Sequence, residues 1–221
     1  MTGTDELTMW TLYLATWGGL ILAQIAPGPN FIAVSGAALG RGFKPAFFMT
    51  CGVATATFVW GAATALGLAS LVALYPGTLT LLRIIGGGYL TFMGYKGLRS
   101  ALRASGPSIA PSALALTPAA AWRRGFLINM TNPKSALTWG AITSFLLGSG
   151  FSSIHAFGMA PLGAISALGV YITYSFLFSR GLARQLYGRF TRIVDGLFGL
   201  AFAIFGCKLL KDGIEEFVRR A

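Results

Sequence analysis

Three long stretches of the sequence, residues 7–40, 45–82 and 135–179, contain no Asp, Glu, Lys or Arg. A helix that crosses the hydrocarbon core of a bilayer needs about 20 mainly apolar residues, so each stretch can hold at least one such helix. Hydrophobic residues make up 55% of the chain and charged residues only 10%, whereas soluble domains carry about 25% charged residues. This pattern excludes a soluble globule, a coiled coil and a disordered chain. It predicts an all-α, polytopic integral membrane protein.

The charge and the reactive side chains exclude several functional classes. Despite a net charge of +11, the basic residues form short clusters between apolar runs and not one solvated face, so we expect no nucleic-acid partner. Cys51 and Cys207 lie far apart in apolar segments and match no metal-ligand spacing. His155, the sole His, falls at a loop edge, whereas an intramembrane serine protease needs a His deep in a span beside its Ser. We therefore expect no metal, no cofactor and no enzymatic activity.

The apolar pattern predicts six membrane-spanning helices in a single domain that covers residues 1–221. The predicted spans cover about 7–26, 46–70, 78–98, 126–148, 154–178 and 193–210. The connection at 100–121 is the longest and contains Pro107, Pro111 and Pro118, which predicts a cytoplasmic linker between two halves of three spans. Such halves cross the membrane in opposite senses, as in inverted-repeat proteins. Sequence similarity between the halves is too local to establish a repeat.

The distribution of basic residues predicts the orientation. Most of the 17 Lys and Arg residues lie in the first, third and fifth connections, whereas the second and fourth carry none. Because cytoplasmic connections are enriched in Lys and Arg, both termini are predicted to face out. Lys211, Arg219 and Arg220 oppose this orientation, since they would then lie outside. A protein with five spans and its N-terminus inside stays open as the alternative.

A proline-rich motif interrupts the first span at Pro27, Gly28 and Pro29. An unbroken helix over 7–40 would reach about 50 Å, well beyond a hydrocarbon core of about 30 Å. The two Pro residues remove backbone donors and Gly28 permits a sharp turn, so we expect a second, shallower helix that is capped by Asn30 or the residue before it. A helix start at membrane depth can bind a carboxylate. A loop that turns at the headgroups is equally compatible with the motif.

A second polar motif interrupts the fourth span and contains Asn129, Asn132, Pro133 and Lys134. Asn132 can cap the helix that continues after Pro133. An ammonium group at the depth of Lys134 costs a few kcal/mol and usually faces a cavity or a partner. A Lys that extends back to the interface is the alternative, but lipid packing does not explain two Asn, one Pro and one Lys within so short a segment.

Asp195 is the carboxylate expected to lie within a span, at the start of the sixth. Three interpretations stay open: it pairs with Lys134, it accepts a proton, or it is solvated beside Arg192. The sequence shows no acidic ring and no filter-like segment of the kind that channels use. A secondary transporter of a small solute is therefore the class that these features favour.

The chain resembles the LysE/RhtB family of bacterial amino-acid exporters. The resemblance is carried by residues 26–30 (APGPN), 40–43 (GRGF), 88–94 (GYLTFMG) and 125–134 (GFLINMTNPK). It implies export of amino acids or close derivatives from the cytoplasm across the bacterial inner membrane, powered by an ion gradient, with protons the expected coupling ion. A homodimer within the lipid bilayer is the expected assembly.

The broken helices suggest how such a substrate is held. We expect Asn30, Asn129 and Asn132 to bind the zwitterion and Lys134 to bind its carboxylate, while Asp195 meets the amino group or the coupled proton. The helix-break residues Pro27, Gly28, Pro29 and Pro133 are the expected gating positions. Small neutral substrates such as threonine, homoserine or leucine are favoured because only one carboxylate is at hand. Basic amino acids, another small solute and a non-transport interaction subunit stay open as alternatives.

Overall fold

The computed structural model of the chain describes residues 3–75, 77–102, 117–180 and 182–220. Within this part of the chain, every regular element is an α-helix. Helices α1 to α8 cover Gly3–Ile25, Pro29–Arg41, Phe43–Leu74, Gly77–Ala101, Pro118–Met130, Pro133–Gly148, Ser153–Ser179 and Leu182–Arg220. The predicted all-α class is therefore confirmed.

The predicted spans coincide with single helices or with broken pairs of helices. The first corresponds to α1 and the fourth to α5 with α6, and each of the other four falls inside one helix. Among the described residues, Phe43–Leu68 of α3 and Ser153–Ser179 (α7) are long and apolar enough to cross a membrane. Residues Leu7–Ile25 of α1 form a third candidate together with α2, with a bend of 51° between them. The count of six spans stays a prediction.

The predicted linker at 100–121 is shorter in the structure at both ends. Helix α4 continues to Ala101 and α5 begins at Pro118, while residues 103–116 lie outside the described part of the chain. Pro118 is thus a helix-starting residue, because the first turn of a helix needs no donor from that position. The Thr117 side chain caps α5 by accepting a hydrogen bond from the backbone N–H of Ala120.

The helices pack so that both interrupted segments meet. Helix α3 packs against α5 and α7, while α2 packs against α7 and α3 and also contacts α5. At one of these contacts Phe31 of α2 meets Tyr174 and Phe178 of α7 edge to face, with ring centroids 4.9 and 5.7 Å apart. Helix α4 runs along α8, and α6 contacts both α3 and α4. The contact of α2 with α5 brings the first break next to the second.

Two glycines allow α3 and α5 to cross at very close range. A Cβ atom at Gly52 would overlap the carbonyl oxygen of Trp122, and one at Gly125 would overlap the carbonyl oxygen of Met49. Small residues permit this kind of backbone approach between membrane helices. Since α5 leads directly into the second break, the crossing fixes the height of that break against α3.

Replacement of Gly52 by valine is expected to destabilise the protein, because neither backbone can move without separating α3 from α5. Overpacking of this kind costs about 1–3 kcal/mol or more. The yield of monodisperse protein in detergent and its unfolding temperature measure the effect. Gly67→Val is the matched control on the same helix, since a Cβ there has no neighbour within 4 Å. Equal stability of the two variants would contradict the close crossing.

Candidate functional site

The first break separates α1 from α2 at residues 26–28. Helix α1 ends at Ile25 and α2 begins at Pro29, with Gly28 at the N-cap in an extended conformation. The expectation that Asn30 or the residue before it caps this helix is therefore wrong. Pro29 occupies the first helical position, where its missing N–H costs nothing, and this moves the cap to Gly28. Asn30 lies in the first turn, and its side chain turns to another partner.

The second break separates α5 from α6 at Thr131 and Asn132. Asn132 is the N-cap of α6, and its side-chain oxygen accepts a hydrogen bond from the backbone N–H of Lys134 over 3.0 Å. Pro133 follows at the start of the helix. The predicted cap at Asn132 is confirmed, and it leaves α6 with its positive end at the break.

Side chains from each break reach the other. The amide nitrogen of Asn30 donates to Oδ1 of Asn129 over 2.9 Å. Nζ of Lys134 donates to the carbonyl oxygen of Ala26 over 3.1 Å, and a Cβ atom at Gly28 would lie 3.5 Å from the same Nζ. The Lys134 side chain therefore lies across the first break, within contact distance of Gly28.

Asn129 is the centre of this hydrogen-bond network. Its Nδ2 donates to the carbonyl oxygen of Val53 and to Oγ1 of Thr57, both over 2.9 Å. Its Oδ1 accepts from Asn30 and from Ser135. An amide side chain can make four hydrogen bonds, so the network uses all of them. The structure gives Asn129 a positioning role, and its predicted contact with a substrate stays a prediction.

A cavity lies where the two breaks meet, and we call it the polar cavity. Its polar side chains come from α1, α2, α3, α5, α6 and α7 and from the cap of α6. They are Gln24, Asn30, Thr57, Asn129, Asn132, Lys134, Ser135, Thr138, Trp139 and Tyr171. The empty space measures about 440 Å³ including the open solvent at its mouth, and the part that the centres of water-sized molecules can occupy measures about 40 Å³. All four predicted binding residues, Asn30, Asn129, Asn132 and Lys134, line it.

Three buried polar atoms around the polar cavity have no hydrogen-bond partner in the structure. They are Oε1 of Gln24, Oδ1 of Asn30 and Oγ1 of Thr138. A buried polar group without a partner costs about 1–3 kcal/mol. Buried groups of this kind are normally satisfied by protein, water or a ligand. The two amide oxygens can only accept hydrogen bonds, so they suit a ligand that donates them.

The other pole of the cavity is positive. Lys134 contributes an ammonium group, and the N-terminus of α6 adds its partial positive charge at the same place. The side chains that the structure describes around the polar cavity include no carboxylate. Asp195 lies within α8, but its side chain is outside the described part of the chain, so its predicted partnership with Lys134 stays a prediction.

Gln24, Ser135 and Thr138 line the polar cavity although they were not among the predicted site residues. The sequence held a signal for Gln24 and for Thr138. Gln24 is an amide within an uncharged apolar stretch, close to Pro27, and Thr138 lies one helical turn beyond Lys134. A polar side chain inside an apolar span usually faces the bundle interior or a water-filled cavity.

Comparison with known families identifies the class of the protein. A family described as "LysE type translocator" matches residues 21–213. The match covers both helix breaks and most of α8. The chain belongs to the LysE type translocator family, and it is therefore a transmembrane transporter and not an enzyme.

Several relatives match the chain over nearly its whole length. The "Threonine efflux protein" of Escherichia coli (strain K12) is 30% identical over 203 residues, which are 91% of this chain and 98% of the relative. The "Leucine efflux protein" of Salmonella choleraesuis (strain SC-B67) is 25% identical over 214 residues, or 92% and 94%. An "Uncharacterized membrane protein" of Haemophilus influenzae is 27% identical over 203 residues, or 90% and 95%. No solved structure matches the chain.

Proposed function

We propose that the protein is a secondary active exporter of amino acids, with small neutral amino acids as its substrates. The observation that carries this proposal is the arrangement of groups in the polar cavity. Lys134 and the start of α6 form a positive pole, while Gln24 and Asn30, whose buried amide oxygens have no hydrogen-bond partner, line the same space. A zwitterionic amino acid needs both kinds of group within one small cavity.

In this proposal each pole of the cavity binds one end of the substrate. The substrate carboxylate accepts hydrogen bonds from Nζ of Lys134, since a charge-assisted hydrogen bond of this type is about twice as strong as a neutral one. The substrate ammonium group donates to Oδ1 of Asn30 and Oε1 of Gln24. Asn129 and Asn132 hold these groups in place, Asn129 through its four hydrogen bonds and Asn132 as the cap of α6.

A neutral side chain on the substrate agrees with the charges of the cavity. A basic amino acid would bring a second positive charge beside Lys134, with no carboxylate among the described lining residues to offset it. The names of the relatives, which refer to threonine and leucine efflux, support the same preference. Export of basic amino acids is the alternative within the family.

Transport in this proposal runs from the cytoplasm across the bacterial inner membrane and is driven by the proton gradient, without any cofactor. Asp195 is the proposed proton acceptor. The pairing of α4 with α8 and of α3 with α7, together with one broken segment in each half, supports an inverted repeat of two halves. The proposed hinges between the two halves are then the residues at the breaks, Pro27, Gly28, Pro29 and Pro133. A homodimer in the bilayer is the proposed assembly.

Efflux of labelled amino acids from preloaded cells tests this function. Cells that express the chain are loaded with a mixture of amino acids, and the release of each is followed with and without a protonophore. We expect release of one or a few neutral amino acids above the level of control cells, and loss of that release when the gradient collapses. Inserted protein without such release would reject the proposal and favour an interaction subunit. Release that is insensitive to the protonophore would reject proton coupling alone.

A further inference from the structure

A second cavity lies beside the polar cavity, between α1, α4, α6 and α8, and we call it the apolar cavity. Its walls are mainly aromatic and aliphatic and include Ile142, Phe145, Phe202 and Phe205. The hydroxyl of Thr16, one of its two polar side chains, donates to the carbonyl oxygen of Leu12 over 2.7 Å and is thereby satisfied. The lining offers a ligand almost nothing but hydrocarbon.

The two cavities meet at Thr138. This residue lines both of them, and its buried hydroxyl is one of the three oxygens without a partner. Both cavities are lined by residues of α1 and α6. On α1, Leu20 and Ala23 line the polar cavity, whereas Gly19 lines the apolar cavity. A molecule that binds both cavities therefore passes Thr138.

We propose that the apolar cavity is the subsite for the side chain of the exported amino acid, with Thr138 at its entrance. The inference rests on the proposed function and narrows it to neutral amino acids with aliphatic or aromatic side chains. An amino acid has a charged polar end and an apolar end, and the adjoining cavities divide in the same way. The walls of the apolar cavity select for side-chain volume, because each methylene buried in such a pocket adds about 1–3 kcal/mol of discrimination.

The apolar cavity is better suited to hold the side chain of the substrate than to serve as an exit route for the whole molecule. A zwitterion that moved whole into the apolar cavity would lose the partners of both charged groups, and buried charges without partners are very costly. A side chain that enters alone leaves the charged groups at Lys134, Asn30 and Gln24. The apolar cavity therefore holds part of the substrate while the rest stays in the polar cavity.

Gly19→Val tests the subsite by filling it. A Cβ atom at Gly19 would lie 3.9 Å from Cε2 of Phe205, so the new side chain fits against the wall and takes up space inside the cavity. We expect the ratio of leucine to alanine efflux to fall about tenfold or more, while alanine efflux continues. Gly18→Val is the matched control, because a Cβ at Gly18 has no neighbour within 4 Å and Gly18 lines neither cavity. It should keep the ratio of the unaltered chain.

Phe205→Leu gives a second measurement that does not depend on the folding of Gly19→Val. Shortening this wall enlarges the apolar cavity, so we expect phenylalanine efflux to rise relative to leucine efflux. Two results would overturn the subsite and leave the proposed function standing. One is that the efflux ratios of the folded variants equal those of the unaltered chain. The other is that the unaltered chain exports alanine but not leucine. An unaltered chain that is inserted and exports no amino acid would overturn both.

Discussion

Replacement of Lys134 by methionine is expected to reduce amino-acid efflux to the level of cells without the protein. Methionine keeps the apolar stem and the approximate length, so the change removes mainly the ammonium group. The substrate carboxylate would then face the polar cavity without its charged partner, and loss of one partner from a buried charged pair costs about 2–5 kcal/mol. This corresponds to a decrease of roughly 30-fold or more in apparent affinity. Efflux of preloaded leucine or alanine measures the effect.

A change in folding has to be separated from this loss of transport. Lys134 also donates to the carbonyl oxygen of Ala26, so the variant gives up one contact between the breaks. An unchanged amount of inserted protein and a similar unfolding temperature would assign the loss to binding. Lys96→Met is the matched control, because Lys96 is exposed on α4 and lies over the ring of Phe92. Undiminished efflux by Lys134→Met would remove Lys134 from the site.

The helix breaks could be predicted from the sequence because proline acts through covalent geometry. A Pro at 27, 29 or 133 removes a backbone donor whatever surrounds it, so the sequence predicts breaks at the places where the structure has them. The cap at Asn132 follows from the same local chemistry. The sequence places the cap of α2 at Asn30 or the residue before it, whereas the structure has it at Gly28 because Pro29 occupies the first helical position.

The partners of the site residues could not be predicted in the same way. Asn129 donates to Val53 and Thr57 on α3, far away in the sequence, and no local rule connects them. Membrane spans that are apolar on all sides also lack the periodic pattern that shows which face of a soluble helix is buried. Polar character alone therefore indicates that Gln24 and Thr138 face inward, and only the packing of the helices shows that they line the same cavity.

The residues proposed to determine substrate specificity, which line the apolar cavity, could not be predicted from the sequence either. Its walls come from four helices, two in each half of the chain. In the sequence, Ile142, Phe145, Phe202 and Phe205 look like ordinary residues of apolar spans. The resemblance to amino-acid exporters predicts the charged end that all substrates share. In this proposal the residues that contact the variable side chain of the substrate belong to no sequence motif.

Replacement of Asn129 by leucine is expected to destabilise the fold and to stop transport together. Leucine has a similar volume but makes none of the four side-chain hydrogen bonds, and it leaves the amide of Asn30 and the hydroxyl of Ser135 without their acceptor. Hydrogen bonds between membrane helices contribute about 0.6 kcal/mol each on average, whereas buried groups without partners cost about 1–3 kcal/mol each. We therefore expect a loss of about 2–4 kcal/mol, measured as the free energy of unfolding in mixed detergent micelles.

Thr131→Val provides the control for this change, since Thr131 is exposed two residues beyond Asn129 and its hydroxyl donates to its own helix, at the carbonyl oxygen of Leu127. Its effect should stay within about 0.5 kcal/mol. The comparison with Lys134→Met then separates two kinds of site residue. A residue that binds substrate loses transport at nearly constant stability, whereas a residue that positions others loses both. If Asn129→Leu unfolds like the unaltered protein but does not transport, Asn129 contacts the substrate directly and the network around it is not what holds the two breaks together.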